Sequence, residues 1–357
     1  MIGLRNAARL ALPARLARSL PRPARRRIIR ARIGAGYYDR LDRFFGLGGD
    51  PLLGTTLWTA IDHVLERPAA GAFEALSPLA ADETSFGRDV VKALCLIDRS
   101  GLEAAIDRFA ALGADGRHGP FERMCARCWG MFLTLHQPGE TDITDRSAAF
   151  PIIQYWNDPQ APSDVEVLMT KWQGLGTVGY HRFDDARAEQ MLERAFGAGR
   201  IFRRAEHPAI RADLFRLGYL AAHDGCYIDA DAVPARTARS SLARLSTGDA
   251  TLGFSTAQMF LHPQNECLIA PAGHPLAIAC FDEACRRIGQ GGYSVQALAG
   301  GHMMADVMLD LHHRGRLGDV RVMTQRWRQD NVFTQPDLGY KSDDRNWRRW
   351  DSKRSVG

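Results

Sequence analysis

The sequence predicts a layered α/β domain built on a mainly parallel sheet, preceded by an all-α helical domain. Two observations carry this. Between about residues 37 and 148 apolar residues return at three- and four-residue steps, as in LWTAIDHVLER, SFGRDVVKALCLIDR and LEAAIDRFAALG, parted by short Gly, Pro or Ser breaks. From residue 149 to 357 short apolar runs of strand length alternate with helix-period segments, the pattern of β-α units around parallel strands. With 357 residues and 45% apolar content, the chain can bury a core in both regions.

Taken in order, residues 1–36 are a basic arm with ten arginines and no acid. The rest of the chain then holds 36 basic and 41 acidic residues, so the net +5 of the whole hides a body of −5. Leu4, Leu10, Leu16 and Leu20 in the arm suit an anionic membrane surface, while Pro13, Pro21 and Pro23 interrupt any long helix there. A solvated basic tail is the other reading, and nucleic acid is not the expected partner. Within the helical region, Cys125-Ala126-Arg127-Cys128 has the spacing of a zinc or redox pair. No second such pair follows, and the stretch FERMCARCWGMFLTL is helix-like, so ordinary helix cysteines are expected. Seven cysteines in a long chain do not make a secreted disulfide framework, and a reducing cytoplasm is the expected compartment. The weakly polar run 268–281 is broken by Pro271, His274 and Pro275 and is too short to cross a bilayer.

The α/β region opens with a strand at Ile152 to Trp156 in PIIQYWNDPQAP. A helix follows in VEVLMTKWQGL, then a strand at YHRF and helices at DARAEQMLERAF and AIRADLFRLGYLAAH. The next strand, Cys226-Tyr227-Ile228, runs into Asp229-Ala230-Asp231. Residues two apart on a strand share a face, so the spacing predicts two carboxylates aimed at one point, a divalent-cation arrangement. Ligands of parallel sheets gather beyond the carboxyl ends of the strands, where Trp156 and both aspartates fall.

The block HPAIRADLFRLGYLAAHDGCYIDADAV resembles the signature of DXD-containing, sugar-nucleotide-dependent glycosyltransferases. These include the yeast outer-chain mannosyltransferases, bacterial capsular-polysaccharide glycosyltransferases and, more distantly, the large clostridial toxins. The resemblance rests on Asp213, Arg216, Asp224-Gly225, Tyr227, Asp229 and Asp231 in that order. It also rests on the upstream IIQYWND, on NECLIAPAGHP, and on YKSDDRNWRRW as a closing tryptophan-bearing loop. It covers about residues 150–350. Asp224 replaces the first of the two glycines usual before the strand, and LAGGHMMADVM lacks the family's proline.

The resemblance implies a GT-A-like, Rossmann-like nucleotide-sugar-binding domain and a hexosyltransferase activity that retains anomeric configuration. The donor would be a UDP- or GDP-sugar, the cofactor Mn²⁺ or Mg²⁺, and the acceptor a glycan or lipid-linked precursor in cell-surface polysaccharide biosynthesis. Asp231 would bind the metal, Asp229 the ribose or a metal-bound water, and Asp213 and Arg216 the donor sugar and β-phosphate. Trp156 would stack on the base and Asn265 would hydrogen-bond the donor. Trp347 would belong to the closing loop, with Asp344 or Asn346 completing the metal shell. Taken alone, Asp213 and Arg216 read as a surface i,i+3 ion pair, Asn265 as a turn residue and His274 as a helix cap. Two further classes stay open: a haloacid-dehalogenase-type phosphatase with Asp229 as nucleophile, and a non-enzymatic helical adaptor with a degenerate transferase domain.

Overall fold

The structure, a computed structural model, describes residues 57–342 apart from 67, 69, 78–84, 137–149, 176–178, 247–248, 256–260, 292–293 and 337. The basic arm, Asp344, Asn346, Trp347 and Trp350 lie outside the described residues. No described helix is long and apolar enough to cross a membrane. The chain divides into two units, residues 1–111 with 257–259, and residues 112–256 with 260–357.

The first unit contains α1 (Leu57–Glu66) and α2 (Ser85–Ser100), and α3 (Leu102–Ala114) runs out of it across the boundary. Helix α2 buries Phe86, Val90, Val91 and Leu94, the positions its three- and four-residue spacing selects.

The second unit begins with α4 (Pro120–Leu135), which the sequence pattern groups with the helical region. Then come β1 (Ile152–Tyr155), α5 (Ser163–Gln173), β2 (Tyr180–Phe183), α6 (Asp185–Phe196), α7 (Gly199–Arg204), α8 (Pro208–Ala222) and β3 (Gly225–Ile228). A two-residue strand β4 (Val233–Pro234) leads to α9 (Ala238–Leu245), β5 (Ala250–Ser255) and β6 (His262–Ala270). The chain continues through α10 (Pro275–Gln290), α11 (Val295–Leu298), α12 (Gly301–His313), β7 (Val320–Thr324), α13 (Gln325–Asn331) and β8 (Phe333–Thr334), and a 3₁₀ turn covers Gly339–Ser342.

Six strands form one sheet in the order β2-β1-β3-β6-β5-β7, and β4 pairs with β8 apart from it. Within the six, β1 runs parallel to β2 and β3, and β5 runs parallel to β7. Strand β6 is antiparallel to both of its neighbours, so five strands share one direction and β6 reverses it. Cys226 and Ile228 of β3, with Cys267 and Ile269 of β6, face a core completed by Trp172 of α5, Leu242 and Leu245 of α9 and Phe333. Tyr227 alternates to the other face, where α8 packs on β3 and β6 and α10 packs on α8. The unit is a three-layer α/β/α structure.

Local chemistry sets the boundaries. Asp184 caps α6 by accepting from the Arg187 amide, and Gly197, at φ 64°, ends that helix in the left-handed region. His274 caps α10 through its own side chain, which accepts from the Leu276 amide, as the sequence allows. Asp224 does more than turn the chain, since its carboxylate accepts from the Ala272 amide at 2.7 Å. A Cβ on Gly225 would lie 3.1 Å from Ile153 and from Tyr219, so glycine lets α8 and β1 close on the start of β3.

All seven cysteines are free thiols. Cys125 and Cys128 lie buried within α4, and burial pushes the Cys125 thiol up to about 12 and that of Cys128 well above its ordinary value. They are helix core residues in a protonated, unreactive state.

Candidate functional site

Strands β1 and β3 run parallel with Ile153 abreast of Tyr227, which carries Trp156 and the Asp229–Asp231 segment out at the same edge of the sheet. Because β6 is reversed, its early residues Gln264, Asn265 and Glu266 arrive at that edge too, and the Asp229 amide donates to the Glu266 carbonyl at 3.0 Å. Asn265 is therefore a strand residue and not a turn residue.

The two aspartates do not share a strand face. Strand β3 stops at Ile228, and Asp229 to Ala232 form a turn closed by the Ala232 amide donating to the Asp229 carbonyl. Strand alternation thus fails at the residues for which it predicted one shared face. Two side chains hold the turn instead. Gln154, fully buried in β1, donates to the Asp229 carbonyl at 3.2 Å and accepts from the Tyr180 hydroxyl at 2.9 Å. Trp172 donates its indole N–H to the Ala232 carbonyl at 2.9 Å.

Arg216 stands at the centre of the site. Its Nη2 lies 3.0 Å from Asp213 and 3.1 Å from Asp229. Its Nη1 donates to the Asn265 carbonyl, its Nε donates to the Ala212 carbonyl, and its guanidinium lies 4.3 Å over the Tyr227 ring. Asp213 and Arg216 are 5% and 4% exposed, so the surface ion-pair reading does not hold for them. Removing one partner of such a buried pair costs about 3–5 kcal/mol, because the other charge is stranded. Beside this group Arg328, itself buried over the Phe333 ring, donates to Glu266.

Burial pushes the Asp213 carboxyl up to about 6, against the pull of Arg216 and the Asn265 side chain. Asp229 goes further, to about 7. Burial is the main cause, Arg216 opposes it, and the carboxylates of Asp231, Glu266 and Asp213 add to it. Burial also works against the Arg216 charge, but Asp229, Tyr227, Asp213 and Glu266 outweigh it and hold the guanidinium protonated. Four carboxylates (Asp213, Asp229, Asp231, Glu266) thus meet two guanidiniums (Arg216, Arg328), leaving a surplus of two negative charges when all are ionised.

Asp231 is 7% exposed and faces a different neighbour. The Tyr340 hydroxyl donates to its Oδ2 at 2.6 Å, and the Tyr340 ring meets Trp156 edge-on, with centroids 5.3 Å apart. Leu338, Tyr340 and Trp156 all pack against Val165, Met169 and Ala230.

Hard carboxylate oxygens with a charge surplus of two fit a divalent ion of the Mg²⁺ or Mn²⁺ kind, which takes one or two protein carboxylates and completes its shell with phosphate and water. Among the described residues no group of three His, Cys, Asp or Glu side chains is arranged to hold a metal alone. The structure therefore brings together Trp156, Asp213, Arg216, Asn265, Asp229 and Asp231. Sequence reasoning missed Gln154, Trp172, Tyr180, Glu266, Arg328 and Tyr340. For Gln154 there was a signal, a lone amide in the apolar run IIQY.

No family model matches the chain, and no curated protein matches it. Among solved structures, the PaToxG Glycosyltransferase aligns with 58% of this chain and 86% of its own, at 12% identity and a TM-score of 0.30. A likeness that low carries no argument, and the functional reading rests on the geometry and the sequence.

Proposed function

We propose that the chain is a metal-dependent glycosyltransferase whose second unit is a GT-A-like domain that moves a sugar from a UDP- or GDP-linked donor to a glycan or lipid-linked acceptor. The observation that carries the reading is the buried Arg216 joining Asp213 and Asp229 at the carboxyl edge of the sheet, with Asp231 in the same turn as Asp229 and Trp156 alongside. A guanidinium pinned between carboxylates has a fixed position and suits donor hydroxyls and phosphate oxygens, to which charge-assisted hydrogen bonds are strong and directional.

The resemblance and the positions of the side chains together support these roles. Asp231 would hold the divalent ion with Asp229, and the ion would offset the charge of a departing nucleoside diphosphate. Asp213 accepts hydrogen bonds and is itself held by Arg216, which suits orientation of donor hydroxyls. The Trp156 ring would be available for a base once Tyr340 moves. Asn265 contributes its carbonyl to Arg216, a supporting role beside the donor. Retention of configuration, polysaccharide synthesis and the completion of the metal shell by Asp344 belong to the same proposal and draw on the family resemblance alone.

Calorimetry with UDP and GDP tests the reading. Binding is expected with Mn²⁺ and is expected to vanish with chelator and in Asp231→Ala, because the diphosphate then faces carboxylate charge with no cation between. Equal affinity without metal would overturn it.

A further inference from the structure

Tyr340 touches both the aromatic ring and the carboxylate of the proposed donor site. Its hydroxyl donates to Asp231 Oδ2 at 2.6 Å while its ring sits edge-on to Trp156 at 5.3 Å. The contact spans 109 residues of sequence, so it exists only because the segment around Gly339–Ser342 folds back over the turn that carries Asp231. Burial and the adjacent Asp231 both push the hydroxyl's pKa upward, so it stays protonated and remains a donor at any physiological pH.

A hydroxyl hydrogen and a metal ion compete for the same carboxylate oxygen. A base stacked on Trp156 likewise competes for space with a tyrosine ring whose centroid lies 5.3 Å from that of the indole. From this double occupancy we propose that Tyr340 is a residue of the donor site that keeps it shut. Its segment is a strap, tied to Asp231 through the hydroxyl and to Trp156 through the ring, and entry of a divalent cation at Asp231 releases it and exposes Trp156. The inference rests on the proposed metal role of Asp231 and adds an order of events, with metal first and nucleotide second. Asp213 and Asp229 are held to one another through Arg216, at 3.0 and 3.1 Å, and so stay assembled while the strap moves.

The test uses the full chain and Mn²⁺ alone as probe, with free Mn²⁺ read by electron paramagnetic resonance. Tyr340→Phe keeps the ring on Trp156 and removes the hydroxyl. It is expected to bind Mn²⁺ about tenfold more tightly than the unaltered protein, the size expected from losing one competing hydrogen bond to a charged carboxylate. A second measurement needs no variant. Amide exchange in a peptide spanning residues 338–342 is expected to quicken when Mn²⁺ is added. Asp231→Asn separates the two levels of failure. If it abolishes Mn²⁺ binding while Tyr340→Phe binds Mn²⁺ no more tightly than the unaltered protein, or exchange at 338–342 does not change, the strap is wrong and the metal site stands. If Asp231→Asn binds Mn²⁺ as the unaltered protein does, both the metal role and the strap are overturned.

Discussion

Replacing Asp229 by Asn should stabilise the protein at high pH when no cation is present. The carboxyl is raised by burial, and by Asp231, Glu266 and Asp213, to about 7 in the folded chain, well above the ordinary aspartate value of about 3.9. A carboxyl whose folded value lies above its unfolded one binds its proton more tightly when folded. The folded state is therefore penalised most above pH 7, and the penalty shrinks as pH falls from 7 toward 4. Asparagine keeps the shape, leaves its amide oxygen to Arg216 and removes the titration. Between pH 5 and pH 7 one proton is linked to folding across two pH units, which amounts to about 2.7 kcal/mol as an upper limit. The Asp229 side chain is 28% exposed, so water screens part of this, and about 1–2 kcal/mol is the expected figure.

Urea unfolding of both proteins in chelator at pH 5, 6, 7 and 8 measures it. The advantage of Asp229→Asn should be smallest at pH 5 and should grow to its full value by pH 8. A difference that stays constant across that range, or that favours the unaltered protein more as pH rises, would refute the electrostatic account of the cluster. Adding Mn²⁺ at pH 8 should narrow the gap, since a cation bound at the carboxylates relieves the repulsion that the substitution removes.

Three other expectations follow from separate parts of the molecule. Of the seven thiols only Cys285 is not fully buried, so Ellman's reagent at pH 8 should react with at most one per native chain and with all seven after unfolding; rapid reaction of Cys125 or Cys128 would contradict their place in the α4 core. A Cβ on Gly301 would come 2.4 Å from the Pro263 carbonyl oxygen, where helix α12 meets the backbone of β6, so Gly301→Ala should lose about 1–3 kcal/mol of stability in a thermal or denaturant melt. The ten arginines of residues 1–36 should each add about 1 kcal/mol of attraction to an anionic surface. The full chain should then co-sediment with phosphatidylglycerol vesicles at low salt and be released at high salt, and a chain lacking residues 1–36 should not bind.

Much of the fold could be read where a local rule decides the structure. YHRF is strand β2 at Tyr180–Phe183, and DARAEQMLERAF is helix α6 at Asp185–Phe196, fixed by the Asp184 cap and the left-handed Gly197. Strand β3 is the four-residue buried run that its apolar residues announce. Local rules gave no purchase on β4 and β8, which have two residues each and exist only by pairing with one another across a hundred residues. Strand β6 was obscure for another reason. Its first half carries Gln264, Asn265 and Glu266, polar residues that serve the site edge, and these erase the apolar run by which a central strand is recognised.

The site divides in the same way. Asp213, Arg216, Asp229 and Asp231 were found because a short stretch of chain carries them all, whereas Tyr340 and Arg328 reach Asp231 and Glu266 from 109 and 62 residues away. Strand alternation gave the wrong reason for pairing Asp229 with Asp231, since the strand ends one residue too early. The turn that replaces it depends on Gln154 and Trp172, whose hydrogen bonds to its carbonyls span 75 and 60 residues. A fully buried glutamine in an otherwise apolar four-residue strand is costly unless its amide is satisfied at both ends, and here it is, by the Asp229 carbonyl and the Tyr180 hydroxyl. That cost marks Gln154 as a residue placed for the turn and not for the core. The same reasoning extends to the carboxylates themselves. A fold that needed only stability would fill this edge with apolar groups, whereas this one holds four carboxylates against two guanidiniums in a buried setting. The uncompensated charge lowers stability, and the cation proposed at Asp231 would offset it.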